Sequence, residues 1–302
     1  MSYTLLSSGS FGAQFLEYVE IKPNLVITSS DTFGGRGMTT RIPTPIKTLS
    51  QQLKIPIQEI DEGDSFRRRL LTGKNQVVIV VDFGMILPKT IVEVCRYGIW
   101  NIHPSLLPHY RGPTPIQSAL INGEKITGVS IISIDELIDH GPLLNLPDTT
   151  PACHTVSIGL NDTNTTLITK LAKEAGKLIT LLMSNPVSST MHMHQQEHNK
   201  ATYTHRFEKK DGYLPFEELS PYLQTLFDRY NLTHLLAPHS NYAPFCTMQK
   251  AYALHDKIRA LNPWPGVFST LPNGKHIKII SSKRMEGNMA ITQVQIEGKI
   301  YR

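Results

Sequence analysis

The stretch GIWNIHPSLLPHYRG, residues 98–112, decides how this chain reads. Ile99 to His103 alternate as a strand, and Pro104, which has no N–H to give a ladder, ends it. In an extended strand, residues i and i+2 face the same side. Asn101 and His103 therefore project together from the carboxyl end of one strand, where open α/β sheets place their ligands.

Outward from this strand, short apolar runs alternate with helical spacing. Tyr3–Ser7, Leu25–Thr28, Val77–Val81, Ile99–His103 and Val129–Ile134 read as strands, and Phe11–Ile21, Pro45–Leu53, Ser65–Leu71 and Pro115–Asn122 as helices. The unbroken run VVIVV at 77–81 suits a strand buried on both faces of a parallel sheet. The alternation predicts an α/β fold with a doubly wound, mostly parallel sheet.

A longer helix over about Thr163–Leu182, capped by Asp162 or Thr163, closes this domain. The polar stretch SNPVSSTMHMHQQEHNK, 184–200, has no periodicity and reads as a linker. His192, His194 and His198 within it are then solvent-exposed histidines, not metal ligands. A helical region follows at about Gln249–Leu261, and the end from Val267 to Ile296 is β-rich. The chain thus divides into a domain at 1–183, a linker at 184–200 and a smaller domain at 201–302. There is no internal repeat.

Composition sets the outer limits. The chain has 302 residues, 40% hydrophobic and 18% charged, as in an ordinary globular protein. No run approaches the ~18 apolar residues of a membrane span, and MSYTLLSSGS lacks the basic start of a secretory signal. Three dispersed cysteines, Cys95, Cys153 and Cys246, fit reduced thiols in a cytoplasm. A net charge of +5 suits a polyanionic partner or a mildly basic enzyme equally well. Arg67-Arg68-Arg69 and Lys209-Lys210 read as solvated faces.

Asn101 and His103 need a partner, and the acidic loop after the strand near 129–134 offers Asp139. Asn, His and Asp form a working set: an amide donor for a developing oxyanion, an imidazole, and a carboxylate that orients it. No Ser or Cys stands in a strand-to-helix elbow of the G-x-S-x-G kind, so chemistry without a covalent intermediate is the simpler expectation.

At this point the chain resembles a family. NIHPSLLPHYRGPTPIQSALINGEKITGVSI, 101–131, is similar to the signature of the folate-dependent formyltransferases. Further likeness runs through GGRGMTTRIPTPIK at 34–47, DFGMILP at 82–88, DTNTTLITKLA at 162–172, ATYTHRFEKKDG at 201–212 and IRALNPWPG at 258–266. GGRG and RALNPWPG point to the tRNA-directed branch.

The resemblance implies that Asn101, His103 and Asp139 are the catalytic triad. It implies that Ser105, Leu106, Leu107 and Pro108 line the folate site, that the backbone of Met85, Ile86 and Leu87 holds the pterin ring, and that Arg36 grips the tRNA acceptor end. The donor is then 10-formyltetrahydrofolate and the acceptor the α-amine of methionine on initiator tRNA, with no metal and no membrane. The alternative acceptor is an amino-sugar nucleotide or glycinamide ribonucleotide. The implied setting is a monomer in a bacterial cytoplasm, with a shortened, OB-like C-terminal domain.

Overall fold

The computed structural model describes residues 2–34, 37–60, 77–85, 87, 98–148, 150–184, 193–235 and 247–302. Arg36, Ile86 and the helix expected at Ser65–Leu71 lie outside the described residues. Contacts group the chain into two compact units: 1–112 with 127–156 and 168–203, and 113–126 with 157–167 and 204–302. This grouping interleaves along the chain and does not follow the division at 183 and 201.

The first unit is built on a nine-stranded sheet among the described residues. Its strands are β1 (Tyr3–Leu6), β2 (Leu25–Ser29), β5 (Ile57–Ile60), β6 (Val77–Val80), β7 (Ile99–His103), β8 (Ile126–Ser133), β9 (Leu143–Leu144), β10 (Cys153–Ser157) and β11 (Met193–His194). β3 (Thr32–Gly34) and β4 (Thr40–Ile42) form a separate hairpin. The order is β11-β9-β8-β7-β6-β1-β2-β5, with β10 paired to β8.

From β5 to β7 neighbouring strands run parallel, as the sequence predicts. β1 and β6 are buried at every position, which accounts for their unbroken apolar sequences. β8 then pairs antiparallel to β7, with Asn101 opposite Ile132 and His103 opposite Ser130. Leu6, Ile27, Ile60, Val78, Val80 and Ile99 form one core cluster of this sheet.

Helix starts follow their caps. α1 (Ser10–Tyr18) opens at Gly9, where an added Cβ would fall 1.8 Å from the Asp82 carboxylate. α2 (Pro45–Gln52) has Pro at its first turn and Thr44 accepting from the Lys47 N–H at 3.3 Å. α4 (Asn164–Ser184) opens with Thr163 Oγ1 accepting from the Thr166 N–H at 3.3 Å, one of the two caps expected.

The second unit holds α3 (Pro115–Ile121), α5 (Phe216–Arg229), α6 (Met248–Leu261) and a four-stranded antiparallel sheet, β12 (Val267–Thr270), β13 (His276–Met285), β14 (Asn288–Ile296) and β15 (Lys299–Tyr301). Leu223, Phe227, Ile258, Leu261, Val267, Ile277, Ile279 and Val294 belong to its core. α5 fills part of the long stretch after residue 215, which the sequence reading left unassigned. On α6, His255 is 1% exposed, with Nδ1 2.9 Å from Ser282 Oγ and Nε2 2.9 Å from the Leu160 carbonyl. Burial holds its pKa below the usual imidazole value.

The stretch expected to be a linker is not one throughout. Met193–His194 adds to the sheet as β11, and Gln196 is 5% exposed, so residues 193–203 pack as part of the first unit. Among the described residues no helix is long and apolar enough to cross a membrane.

Candidate active site

β7 delivers two polar side chains to one side. Trp100 and Ile102 alternate with them and are buried. Asn101 Nδ2 donates to Asp139 Oδ1 at 3.0 Å. His103 Nδ1 lies 3.5 Å from Asp139 Oδ2, and the Gly112 N–H donates to the same oxygen at 2.8 Å. The three side chains expected to converge therefore do so, on one carboxylate.

The hydrogen positions follow from the partners. His103 Nε2 sits 2.8 Å from the Tyr110 carbonyl, which can only accept, so Nε2 carries a hydrogen. Nδ1 is then the nitrogen that faces Asp139 and takes any further proton. Asn101 spends one N–H on Asp139; its second has no partner among the described residues. That N–H is available to an incoming oxygen.

Local backbone fixes this geometry. Tyr110 and Gly112 have φ of +59° and +107°, so the chain turns sharply on both sides of Arg111. Asp139 has φ of +50°, in the left-handed region that Asp enters more readily than most residues. Asp135 Oδ1 accepts from the Leu137 N–H at 3.0 Å and starts the loop. At its far end, a Cβ on Gly141 would meet the Ser133 carbonyl at 1.8 Å, so glycine is required there.

The 104–110 loop closes on itself. Ser105 is fully buried, its hydroxyl donating to the His109 carbonyl at 2.6 Å and its own carbonyl accepting from Ser130 Oγ at 2.8 Å. Leu107 is buried with Ile132 and Leu143, and the Leu107–Pro108 bond is cis. Leu106, only partly buried, lies over Gly128, where a Cβ would come within 2.4 Å of its Cδ2. Met85 and Leu87 pack, half-buried, on the Leu6 and Val78 cluster.

In sequence Arg36 lies between β3 and β4, whose residues 32–34 and 40–42 pair antiparallel. Charges hold the hairpin's base: Asp31 accepts from Lys47 at 2.8 Å and Arg41 at 2.7 Å, and Lys47 reaches Glu59 at 2.6 Å. The hydrogen bond from Lys47 holds the Asp31 carboxyl below the usual carboxylate range.

Sequence reasoning gave no role to Arg111 or Gln196, and it read His198 as solvent-exposed, which it is, without its contact to Arg111. Arg111 is 1% exposed and donates to Gln196 Oε1 at 2.7 Å and His198 Nδ1 at 2.9 Å. His198 stacks on His140 at 4.0 Å, and His140 meets Asp135 at 2.6 Å. Arg-Gly after the loop was the only sequence signal. Its partners lie some 85 residues on, in a stretch without periodicity. Among the described residues no group of three His, Cys, Asp or Glu could hold a metal.

Residues 13–182 match the formyl transferase family model, and 246–301 match the formyl transferase C-terminal domain. The chain belongs to the formyltransferase family. A methionyl-tRNA formyltransferase of Halothermothrix orenii is 30% identical, over all of this chain and 88% of the relative. Those of Agathobacter rectalis and Thermodesulfovibrio yellowstonii are each 32% identical, over 87% and 88% of this chain and 73% and 74% of the relatives. Among solved structures, methionyl-tRNA formyltransferase from Clostridium thermocellum overlays with a TM-score of 0.58 at 17% identity, over 98% of each chain. A 4-N formyltransferase from Francisella tularensis gives 0.61 at 16% identity, over 94% of this chain and 98% of the other. These overlays establish a shared fold.

Proposed function

We propose that this formyltransferase moves the formyl group of 10-formyltetrahydrofolate to the α-amine of methionine esterified to initiator tRNA. The observation that carries the chemistry is the Asp139 carboxylate, bonded to Asn101 and 3.5 Å from His103 Nδ1. The relatives at 30–32% identity, all named for the tRNA reaction, support the acceptor.

The neutral amine adds to the formyl carbon, forming a C–N bond while the carbonyl electron pair moves onto oxygen. The second N–H of Asn101 donates to that oxygen as it gains charge, and His103 adds electrostatic stabilisation once it has taken up the amine's proton and become imidazolium. One such donor is worth ~2.7–4 kcal/mol of barrier. The amine's proton passes to the His103–Asp139 pair, directly or through water. The bond from the formyl carbon to the folate nitrogen then breaks, and that nitrogen takes up a proton, so protons balance.

Leu106, Leu107 and Pro108, with Met85, Ile86 and Leu87, supply apolar walls and backbone groups for a flat heterocycle, and Ser105 braces their loop. Arg36 supplies a fork for phosphate or an unpaired base. The enzyme acts as a monomer in the bacterial cytoplasm, where charged initiator tRNA is made.

Turnover of 10-formyltetrahydrofolate with charged initiator tRNA, an amino-sugar nucleotide and glycinamide ribonucleotide in parallel tests this reading. Transfer only to the sugar nucleotide or the glycinamide would overturn the acceptor. Transfer to none of the three would overturn the reaction.

A further inference from the structure

The side chain of Gln196 is oriented without ambiguity. Its Oε1 faces the Arg111 guanidinium, which only donates, with contacts of 2.7 Å from Nη2 and 3.3 Å from Nε. Its Nε2 faces two carbonyls, which only accept: Asp139 O at 3.0 Å and Gly141 O at 2.6 Å. Exchanging the amide's oxygen and nitrogen would set donor against donor at one end and acceptor against acceptor at the other. Both residues are buried, so the bonds to Arg111 and to the Gly141 carbonyl form away from water and are costly to lose.

Arg111 is itself fixed. Its N–H donates to the Thr202 carbonyl at 2.8 Å, Nη1 to Tyr203 Oη at 3.2 Å, and Nη2 also to His198 Nδ1. Its neighbours along the chain touch the reacting centre directly: Tyr110 O meets His103, and Gly112 N–H meets the Asp139 carboxylate. A closed ring results. It runs from the Asp139 carboxylate through Gly112 to Arg111, along the guanidinium to Gln196, and back to the carbonyl of Asp139.

We propose that Gln196, seated on Arg111, is a positioning residue that holds Asp139 in register with Asn101 and His103. This rests on the assignment of Asp139 to the reacting centre made above. Asp139 adopts a left-handed conformation and receives donors at both its carboxylate and its carbonyl. Without the amide, the carbonyl end loses its restraint and the carboxylate is free to swing away from His103.

Gln196→Glu separates positioning from general stability. A carboxylate keeps one oxygen on Arg111 and gains an ion pair there, yet turns its other oxygen on two carbonyls. A purely structural role predicts a less stable variant that, where folded, keeps near-normal kcat. The positioning role predicts a folded chain with kcat lowered ten- to about a hundredfold, since a misplacement near 1 Å costs that much. KM for donor and acceptor should stay within about twofold, because neither substrate contact is removed. The imidazole nitrogen resonances of His103, read at one pH, should shift in the variant. Gln196→Ala, read where circular dichroism shows it folded, should give the same loss if the Glu variant fails to fold.

Wild-type transfer with unshifted His103 resonances and near-normal kcat in both variants would overturn the positioning role and leave the function intact. Shifted resonances in a protein that transfers formyl to no acceptor would uphold the positioning and sink the function.

Discussion

Asp139 meets Asn101 through one carboxylate oxygen, at 3.0 Å, and leaves the other for Gly112 and His103. The amide is thereby aimed by the same group that faces the imidazole. Asn101→Ala, His103→Ala and Asp139→Ala should each lower kcat at least about a hundredfold while folate still binds. Their combined effect should fall well short of additive, because the three act as one unit. Steady-state kinetics beside donor-binding titrations check this, and near-normal turnover in the His103 variant would sink the assignment.

The 104–110 loop separates into a core position and an exposed one. Leu107→Ala removes a buried side chain packed on Ile132 and Leu143 and should cost about 2 kcal/mol or more of stability. Leu106→Asp acts on a partly exposed side chain and should raise the donor KM with little change in melting temperature. Gly128→Ala forces a Cβ to 2.2 Å from the His154 carbonyl and 2.4 Å from Leu106 Cδ2, so both quantities should worsen together. Denaturant melts beside donor kinetics decide the three cases.

Acid should loosen the second unit through His255. The Leu160 carbonyl fixes a hydrogen on Nε2, and Nδ1 faces the Ser282 hydroxyl, which can donate to it, so a neutral ring is satisfied at both nitrogens. Burial lowers its folded pKa, with the Arg259 and Arg284 charges acting in the same direction. For a base with a depressed folded value, the unfolded chain binds the proton more readily. Stability is therefore intact above about 6.5, the unfolded imidazole value, and falls as pH drops from there toward the folded one. Thermal melts between neutral and mildly acid pH should show this slope, and His255→Gln should flatten it. An unchanged slope in that variant would reject the attribution.

Arg36 tests the acceptor. Arg36→Ala should lower formylation of methionyl-tRNA by one to two orders of magnitude, the ~1–3 kcal/mol of one good contact. Arg36→Lys should recover only part, since a point charge cannot copy the fork. Added salt should raise the tRNA KM of the wild type more steeply than that of Arg36→Ala. Asp31→Asn, which removes one ion-pair partner of Arg41 and Lys47 at the base of the hairpin, should raise the tRNA KM and spare the donor KM.

The parallel sheet and the Asn-His-Asp cluster were legible because both rest on local pattern. Unbroken apolar runs mark β1 and β6, and a two-residue spacing puts Asn101 beside His103. β5, IQEI, escaped notice because it is only half-buried and carries a charge. The β3–β4 hairpin escaped because exposed positions around three glycines give no alternation to read. Gln196 and His198 were hidden for another reason. Both meet a guanidinium 85 and 87 residues away, and no periodicity records a contact of that kind.

Residues 193–203 are the last of the first unit to leave a ribosome. A nascent chain that has emerged only as far as Ser184 already holds every strand from β1 to β10. It lacks the amide on which Asp139 leans and the Thr202 carbonyl that anchors Arg111. The sheet can thus assemble before the reacting centre is braced, and competence arrives as a separate, later event in synthesis. A fragment cut where the sequence first suggested a domain end, at 183, is expected to fold around its sheet and turn over poorly, until a peptide spanning 193–203 is supplied in trans.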